Sequence, residues 1–174
     1  PYIEDNNSGQ MEGVSYFNMT IKDGVRFSVT KAFLRPVLSR PNLTVLTRAL
    51  SRRLILEGTH CRGVEYSHEG ALKTAHAAKE VILSAGAINS PQLLLLSGIG
   101  PAAELAALGI GVVVDLPGVG RNLQDHILLA GINYECNGEL PVPRNNAAES
   151  TLWWKSNSRL YSPDLQPVII EVPF

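Results

Sequence analysis

The run Glu80-Val81-Ile82-Leu83-Ser84-Ala85-Gly86 is nearly all apolar and ends in glycine, the pattern of a strand buried on both faces of a parallel sheet. Downstream, Ser90 is a good N-cap with Pro91 at the first helical position, Gln92 to Leu96 supply the helix body, and Gly98 suits the left-handed residue after a helix. A strand that feeds a helix across a short connection commits this part of the chain to helices laid on a sheet. The small pair Ala85-Gly86 at the strand's end lets a ligand approach the carboxyl edge, where α/β sheets bind ligands. Tight packing of helix on strand demands the same residues, so residue type alone leaves both readings open.

Around this centre the elements are short. Pro101 opens a second helix, Ala102 to Leu108, which Gly109 closes before a strand at Val112 to Asp115 and a glycine-supported loop, Pro117-Gly118-Val119-Gly120. Upstream, Leu43 to Thr47, Arg52 to Glu57, Cys61 to Tyr66 and Leu72 to Ala75 read as strands, the last three forming a meander turned at Gly58 and Gly70. Val14 to Ile21 is a β-like run in a hairpin setting, and a short helix, capped by Ser28 or Thr30, runs through Ala32-Phe33-Leu34 and past Pro36 to about Arg40. From Ile127 the texture changes to strand pieces, Ile127 to Tyr134 and Val168 to Val172, separated by Asn137-Gly138 and an irregular loop around Pro141 and Pro143. The architecture thus switches near residue 126, and an antiparallel sheet begins there. The fold class expected is mixed α and β. Because the chain opens on Pro1 and stops just after a strand, it reads as a piece of a longer protein.

Several function classes drop out. With 15 Lys and Arg against 16 Asp and Glu, no positive excess draws the chain to phosphate backbones, so no nucleic-acid partner is expected. The longest apolar stretch, Leu93 to Leu96, is too short to span a bilayer. With no signal peptide in view, the expected location is the cytoplasm, with peripheral membrane association left open. Cys61 and Cys136 show no CxxC spacing, and His60, His68, His76 and His126 fall in no HxxxH or HExxH pattern, so neither a disulfide framework nor a metal site is expected. His126 follows Asp125 at the architectural switch, where the pair either tunes the imidazole or locks the loop. No GxSxG elbow is present. Gly98 to Ala103 formally fits GxGxxA, but a helix rather than a strand precedes it, so its glycines stop one helix and start the next. The Asn-x-Ser/Thr sequons at Asn6, Asn18 and Asn42 read as chance matches in Asn-rich, polar surroundings.

The stretch Gly86-Ala87-Ile88-Asn89-Ser90-Pro91-Gln92-Leu93-Leu94-Leu95-Leu96-Ser97-Gly98-Ile99-Gly100 closely resembles the second sequence motif of the glucose-methanol-choline (GMC) oxidoreductases, a family of FAD-dependent enzymes. Other landmarks of that family stand around it in order: Gly24 to Ser28 with Ala32-Phe33-Leu34-Arg35-Pro36, Arg40 to Val45, Gly63-Val64-Glu65-Tyr66, and Leu116-Pro117-Gly118-Val119-Gly120-Arg121-Asn122-Leu123-Gln124-Asp125-His126. Ser162-Pro163-Asp164-Leu165-Gln166 also fits, so the resemblance covers nearly the whole chain. Its character is that of the choline and alcohol dehydrogenases.

The resemblance implies a fragment of an FAD-binding, Rossmann-like fold plus the start of an antiparallel-sheet substrate domain. On this basis residues 1–24 are a connecting or substrate-domain hairpin, 25–126 the middle of the FAD-binding domain, and 127–174 the incomplete beginning of the substrate domain. It further implies a parent enzyme that oxidises a small alcohol by hydride transfer to flavin while a histidine base takes the hydroxyl proton. Relatives open with a strand-GxGxxG-helix unit and close with a segment carrying the catalytic His, and neither is found here. No catalytic residue is therefore assigned, His126 included, and the fragment alone is expected to be inactive. The cofactor-facing positions implied are Ser51, where relatives place an adenine-contacting residue, Ala85 and Gly86 beside the diphosphate, and Asn122, Asp125 and His126 at the passage between domains. Part of the hydrophobic content is then meant for missing neighbours, and association through exposed apolar surface, or a homo-oligomer, is expected. Alternatives are a non-catalytic binding module on the same scaffold and a flavin-dependent lyase of the same fold.

Overall fold

The structure is a computed structural model of the chain, and it describes residues 1–129, 132–135, 137–139 and 148–170. In chain order the elements are β1 (Gly13–Tyr16), β2 (Ile21–Lys22), β3 (Val25–Arg26), a π-helical turn (Thr30–Leu34) continued by a 3-10 turn (Arg35–Val37), β4 (Leu50–Glu57), β5 (His60–His68), β6 (Ala71–His76), α1 (Gly86–Leu96), β7 (Ile99–Gly100), α2 (Ala102–Ala107), β8 (Val114–Asp115), β9 (Ala148–Trp153) and β10 (Val168–Ile170). They gather into two compact units. Residues 44–127 form a continuous one, and residues 1–43 with the described part of 128–174 form a discontinuous one, so residues 25–43 cluster with the N-terminal segment.

In the continuous unit, β4, β5 and β6 make an antiparallel meander in sequence order. Its turns need a left-handed residue, which Gly58 (φ +58°) and Gly70 (φ +76°) supply without steric cost. β5 and β6 approach closely at Gly63, where a Cβ would collide with the Ala75 carbonyl. α1 packs on β4 and buries Leu93, and its end is tied down by Ser97. The Ser97 Oγ donates to the Leu93 carbonyl (2.5 Å) and accepts the Leu54 amide of β4 (2.8 Å). After Gly98 (φ +81°) the chain runs through β7, α2 and β8, with β7 and β8 pairing in parallel (Ile99 to Val114, Gly100 to Asp115). Pro101, Leu105 and Val119 complete this unit's buried apolar set.

Several expectations are corrected here. The stretch Glu80–Ala85 has no ladder partner among the described residues, and Val81 and Leu83 are half-buried while Ile82 is 78% exposed. An apolar run becomes a strand covered on both faces only when other strands and helices flank it, and sequence periodicity cannot supply those neighbours. α1 starts at Gly86, earlier than the Ser90 cap implies, and Pro91 lies inside it. Gly86 takes φ +88° and lets the chain turn directly into the helix, while the Ser90 Oγ accepts the Ala85 amide (3.0 Å). Leu43–Thr47, 127–129 and 132–134 also lack ladder partners, and the strand expected from Val112 is confined to Val114–Asp115. The expected loop around Pro141 and Pro143, and Cys136, lie outside the described residues.

In the discontinuous unit β9 is the central strand of an antiparallel sheet ordered β1-β9-β10. The β-like run from Val14 divides: β1 ends at Tyr16 and pairs with β9, and the local hairpin is instead β2-β3 around Asp23 (φ +53°) and Gly24 (φ +71°). Residues 1–3 pack beside β1, where the Ile3 amide donates to the Val14 carbonyl (2.8 Å) and Ile3 is buried over Gly13. Ser15 and Thr151 are buried opposite each other across β1 and β9.

Among the described residues Ile3, Leu93, Pro101, Leu105 and Val119 are the buried apolar side chains, whereas Ile127, Leu129 and many others are exposed. No helix of the described residues is long and apolar enough to cross a membrane.

Candidate functional site

All six positions singled out in the sequence, Ser51, Ala85, Gly86, Asn122, Asp125 and His126, fall in the continuous unit. All six are exposed. Ser51 stands in β4 opposite Tyr66, beside a break in register between Ser51 and Arg53. Arg53 then pairs across the strands with Glu65 through two hydrogen bonds, 3.1 Å from Nε and 3.0 Å from Nη2, and this pairing holds the guanidinium above its ordinary pKa.

Ala85 and Gly86 form the entry to α1. An α-helix leaves its first amides without acceptors, and here no side chain caps them and no acidic residue occupies the first turn. In front of Gly86 the space is open, since a Cβ built there meets nothing within 4 Å. The result is a helix start of positive character whose backbone a ligand can reach.

Asn122 to His126 hang from a braced corner. The Leu116 amide donates to the Gly100 carbonyl (3.0 Å), the amides of Val119 and Arg121 donate to the Leu116 and Gly118 carbonyls, and the Val119 side chain is buried. Asp115 Oδ1 accepts the Ala102 amide at the start of α2 (3.0 Å), and the Arg121 guanidinium donates to the Glu104 carboxylate. Asn122 itself is left-handed, with φ +54°, a conformation asparagine tolerates better than most residues. Asp125 Oδ1 accepts the backbone amide of His126 (2.8 Å), a bond confined to the two neighbours that does not engage the imidazole.

Among the described residues no hydrogen bond or ion pair links Ser51, the Ala85-Gly86 entry and the 122–126 segment to one another. Two open clefts of this unit, about 490 Å³ between β4 and the end of α1 and about 420 Å³ beside Arg48 and His68, have none of the six among their lining residues. Among the described residues no group of three or more His, Cys, Asp or Glu side chains is placed to hold a metal. Sequence reasoning missed Ser97, Glu104 and Arg121. The signal for Ser97 was its place one residue before the helix-ending Gly98, whereas the Glu104-Arg121 pairing leaves no spacing pattern to read.

Comparisons with known proteins agree on one relationship. A family model described as GMC oxidoreductase matches residues 1–128. The choline dehydrogenase, mitochondrial, of Mus musculus is 53% identical over 127 residues, which is 73% of this chain and 21% of that protein. The crystal structure of pyridoxine 4-oxidase from Mesorbium loti superposes with a TM-score of 0.83 at 41% identity, covering 89% of this chain and 30% of that one. An FAD-dependent oxidoreductase from Chaetomium thermophilum superposes with a TM-score of 0.68 at 36% identity, covering 72% and 22% respectively. The chain therefore spans between about a fifth and a third of the length of these relatives.

Proposed function

The chain belongs to the GMC oxidoreductase family, and from that membership we propose that it is an inner segment of an FAD-dependent enzyme that oxidises the CH–OH group of a small alcohol. FAD is the cofactor of the family, and when bound it supplies the acceptor for the hydride leaving the carbinol carbon. The observation that carries the reading is the entry to α1: uncapped amides, no acidic residue in the first turn, and open space in front of Gly86. These features suit a diphosphate, because backbone N–H groups and the positive helix end attract an anion that a Cβ or a carboxylate would repel.

In this reading Ala85 and Gly86 lie against the diphosphate, Ser51 lies near the adenine, and Asn122, Asp125 and His126 border the flavin where the polypeptide leaves the cofactor domain. Residues 44–126 of the continuous unit belong to the cofactor domain, with residues 25–43 joined to it in the order of the polypeptide, while residues 1–24 and 127–174 belong to the substrate domain or its connection. This chain's residues bind and orient, and no proton-transfer residue is assigned among them. The names of the choline and pyridoxine enzymes favour a small alcohol as substrate. A cytoplasmic location is part of the proposal and stands against the mitochondrial one that the mouse relative's name gives that protein.

The test compares the full-length protein carrying this segment with the 174-residue chain alone. We expect flavin absorbance to travel with the full-length protein through gel filtration and an alcohol to reduce it, and the isolated chain to do neither. A full-length protein without flavin would remove the reading, and alcohol oxidation by the isolated chain would remove its assignment of chemistry to other segments. Cell fractionation decides the compartment.

A further inference from the structure

We propose that one buried water molecule bridges the Ser15 hydroxyl of β1 and the Trp153 indole N–H of β9. Ser15 is 1% exposed, and both its Oγ and the Trp153 Nε1 are sealed from solvent without a hydrogen-bond partner among the described residues. Buried polar side-chain atoms are almost always paired with protein or with ordered water, so two orphans on one sheet are a specific signal. They also share a face. Ser15 stands directly opposite Thr151, and Trp153 follows Thr151 by two residues on the same strand, which returns its side chain to the side of Thr151 and Ser15.

Ser15 and Trp153 are thus diagonal neighbours, a relation that spaces residues by about 7–8 Å. The residue directly opposite Trp153 is Gly13, over which the Pro1 carbonyl and the Ile3 side chain lie and help seal this face from solvent. A donor–water–acceptor bridge spans at most about 5.6 Å between heavy atoms, a reach that suits side chains extending toward each other on a diagonal. Chemistry narrows the occupant. The indole N–H only donates, so the bridging group must accept, which excludes a cation. A hydroxyl both donates and accepts, and Thr151 Oγ1, 2% exposed at the residue level, already donates to the Pro167 carbonyl (3.2 Å) and keeps lone pairs for a second donor. A water that accepts from Trp153 and donates one hydrogen to Ser15 and the other to Thr151 satisfies every group, with the two to four polar partners a buried water needs.

The experiment uses the full-length protein that carries this segment. A high-resolution crystal structure should show an ordered water within hydrogen-bond distance of both Ser15 Oγ and Trp153 Nε1. In solution, the Trp153 indole proton should show a cross-relaxation peak to long-lived water by NMR. Ser15→Ala and Trp153→Phe should each lower the melting temperature, and the double variant should lose less than the sum of the two. Either atom bonded to another protein group, an empty gap, or two additive losses would overturn the bridge, as would a Ser15→Ala protein that melts no lower than the original.

Discussion

The amide of Leu54 in β4 donates to the hydroxyl of Ser97, 43 residues later in the chain, at 2.8 Å. Because Ser97 in turn donates to the Leu93 carbonyl, one side chain joins a sheet strand to the last turn of α1. Replacing it with alanine strips a partner from a backbone amide and a carbonyl together. We expect Ser97→Ala to cost about 1–2 kcal/mol, read as a lower urea midpoint at unchanged slope. An unchanged midpoint would show that the bond contributes nothing to stability.

Two helix-ending glycines separate the effect of backbone conformation from that of close approach. Gly109 has φ +70° and open space around it, so Gly109→Ala bears only the left-handed penalty, about 1–2 kcal/mol. Gly98 has φ +81° and faces the Gly111 carbonyl and Val113, into which a Cβ would run. Gly98→Ala should therefore cost more than about 3 kcal/mol. Equal unfolding midpoints for the two variants would show that the β7 neighbourhood relaxes to make room.

Asp164 should link stability to acid pH. Its Oδ2 accepts the Ser156 hydroxyl (2.6 Å) and its Oδ1 the Ser156 amide (2.7 Å), in that order the main causes holding its carboxyl below the ordinary carboxylate value. A depressed pKa in the folded state means that the contribution is fully present above the unfolded value, about 3.9, and is lost as pH falls through the folded value. Ser156→Ala should raise the Asp164 pKa in an NMR titration of the carboxyl carbon and flatten the pH dependence of stability below about pH 4. A titration curve unmoved by the substitution would assign the depression to another group.

Gly86 is the position where a side chain should cost cofactor without costing the fold. Asparagine tolerates positive φ, and the space in front of Gly86 is open, so Gly86→Asn keeps the backbone while filling the approach to the helix amides. In the full-length protein this variant should weaken FAD retention by about tenfold or more, measured as flavin per polypeptide after dialysis, while the apoprotein melts as before. Full retention of flavin would place the diphosphate elsewhere.

Local chemistry was readable and long-range neighbours were not. The meander β4-β5-β6 follows from short mixed runs punctuated by Gly58 and Gly70, and the helix ends at Gly98, Pro101 and Gly109 follow from backbone preferences that need no tertiary context. The Glu80–Ala85 run carries the composition of a covered strand, yet composition does not say which chain segment covers it. Ser90 carries the signature of a cap, but the conformational freedom of Gly86 placed the helix start ahead of it. β9 escaped notice because Glu149, Ser150 and Thr151 dilute its apolar pattern, and because its partner β1 lies near the other end of the chain. The six site positions came from a family resemblance at three separate places in the chain. What periodicity could not show is how the loop carrying Asn122 is held, since the Glu104-Arg121 pair joins α2 to the end of the 117–120 turn across 17 residues.

The pairing of Gly13 with Trp153 joins residues about 140 positions apart. Closing so long a loop has a large entropic cost that no local contact repays, whereas β4-β5-β6 closes through turns of two residues or so. The two units should accordingly acquire structure in sequence, the continuous one ahead of the split one, and hydrogen-exchange pulse labelling during refolding should protect Val64 amides before those of Leu152. On a ribosome the same asymmetry becomes a timing constraint: β1 emerges early and must wait, its edge unpaired, until β9 has been synthesised.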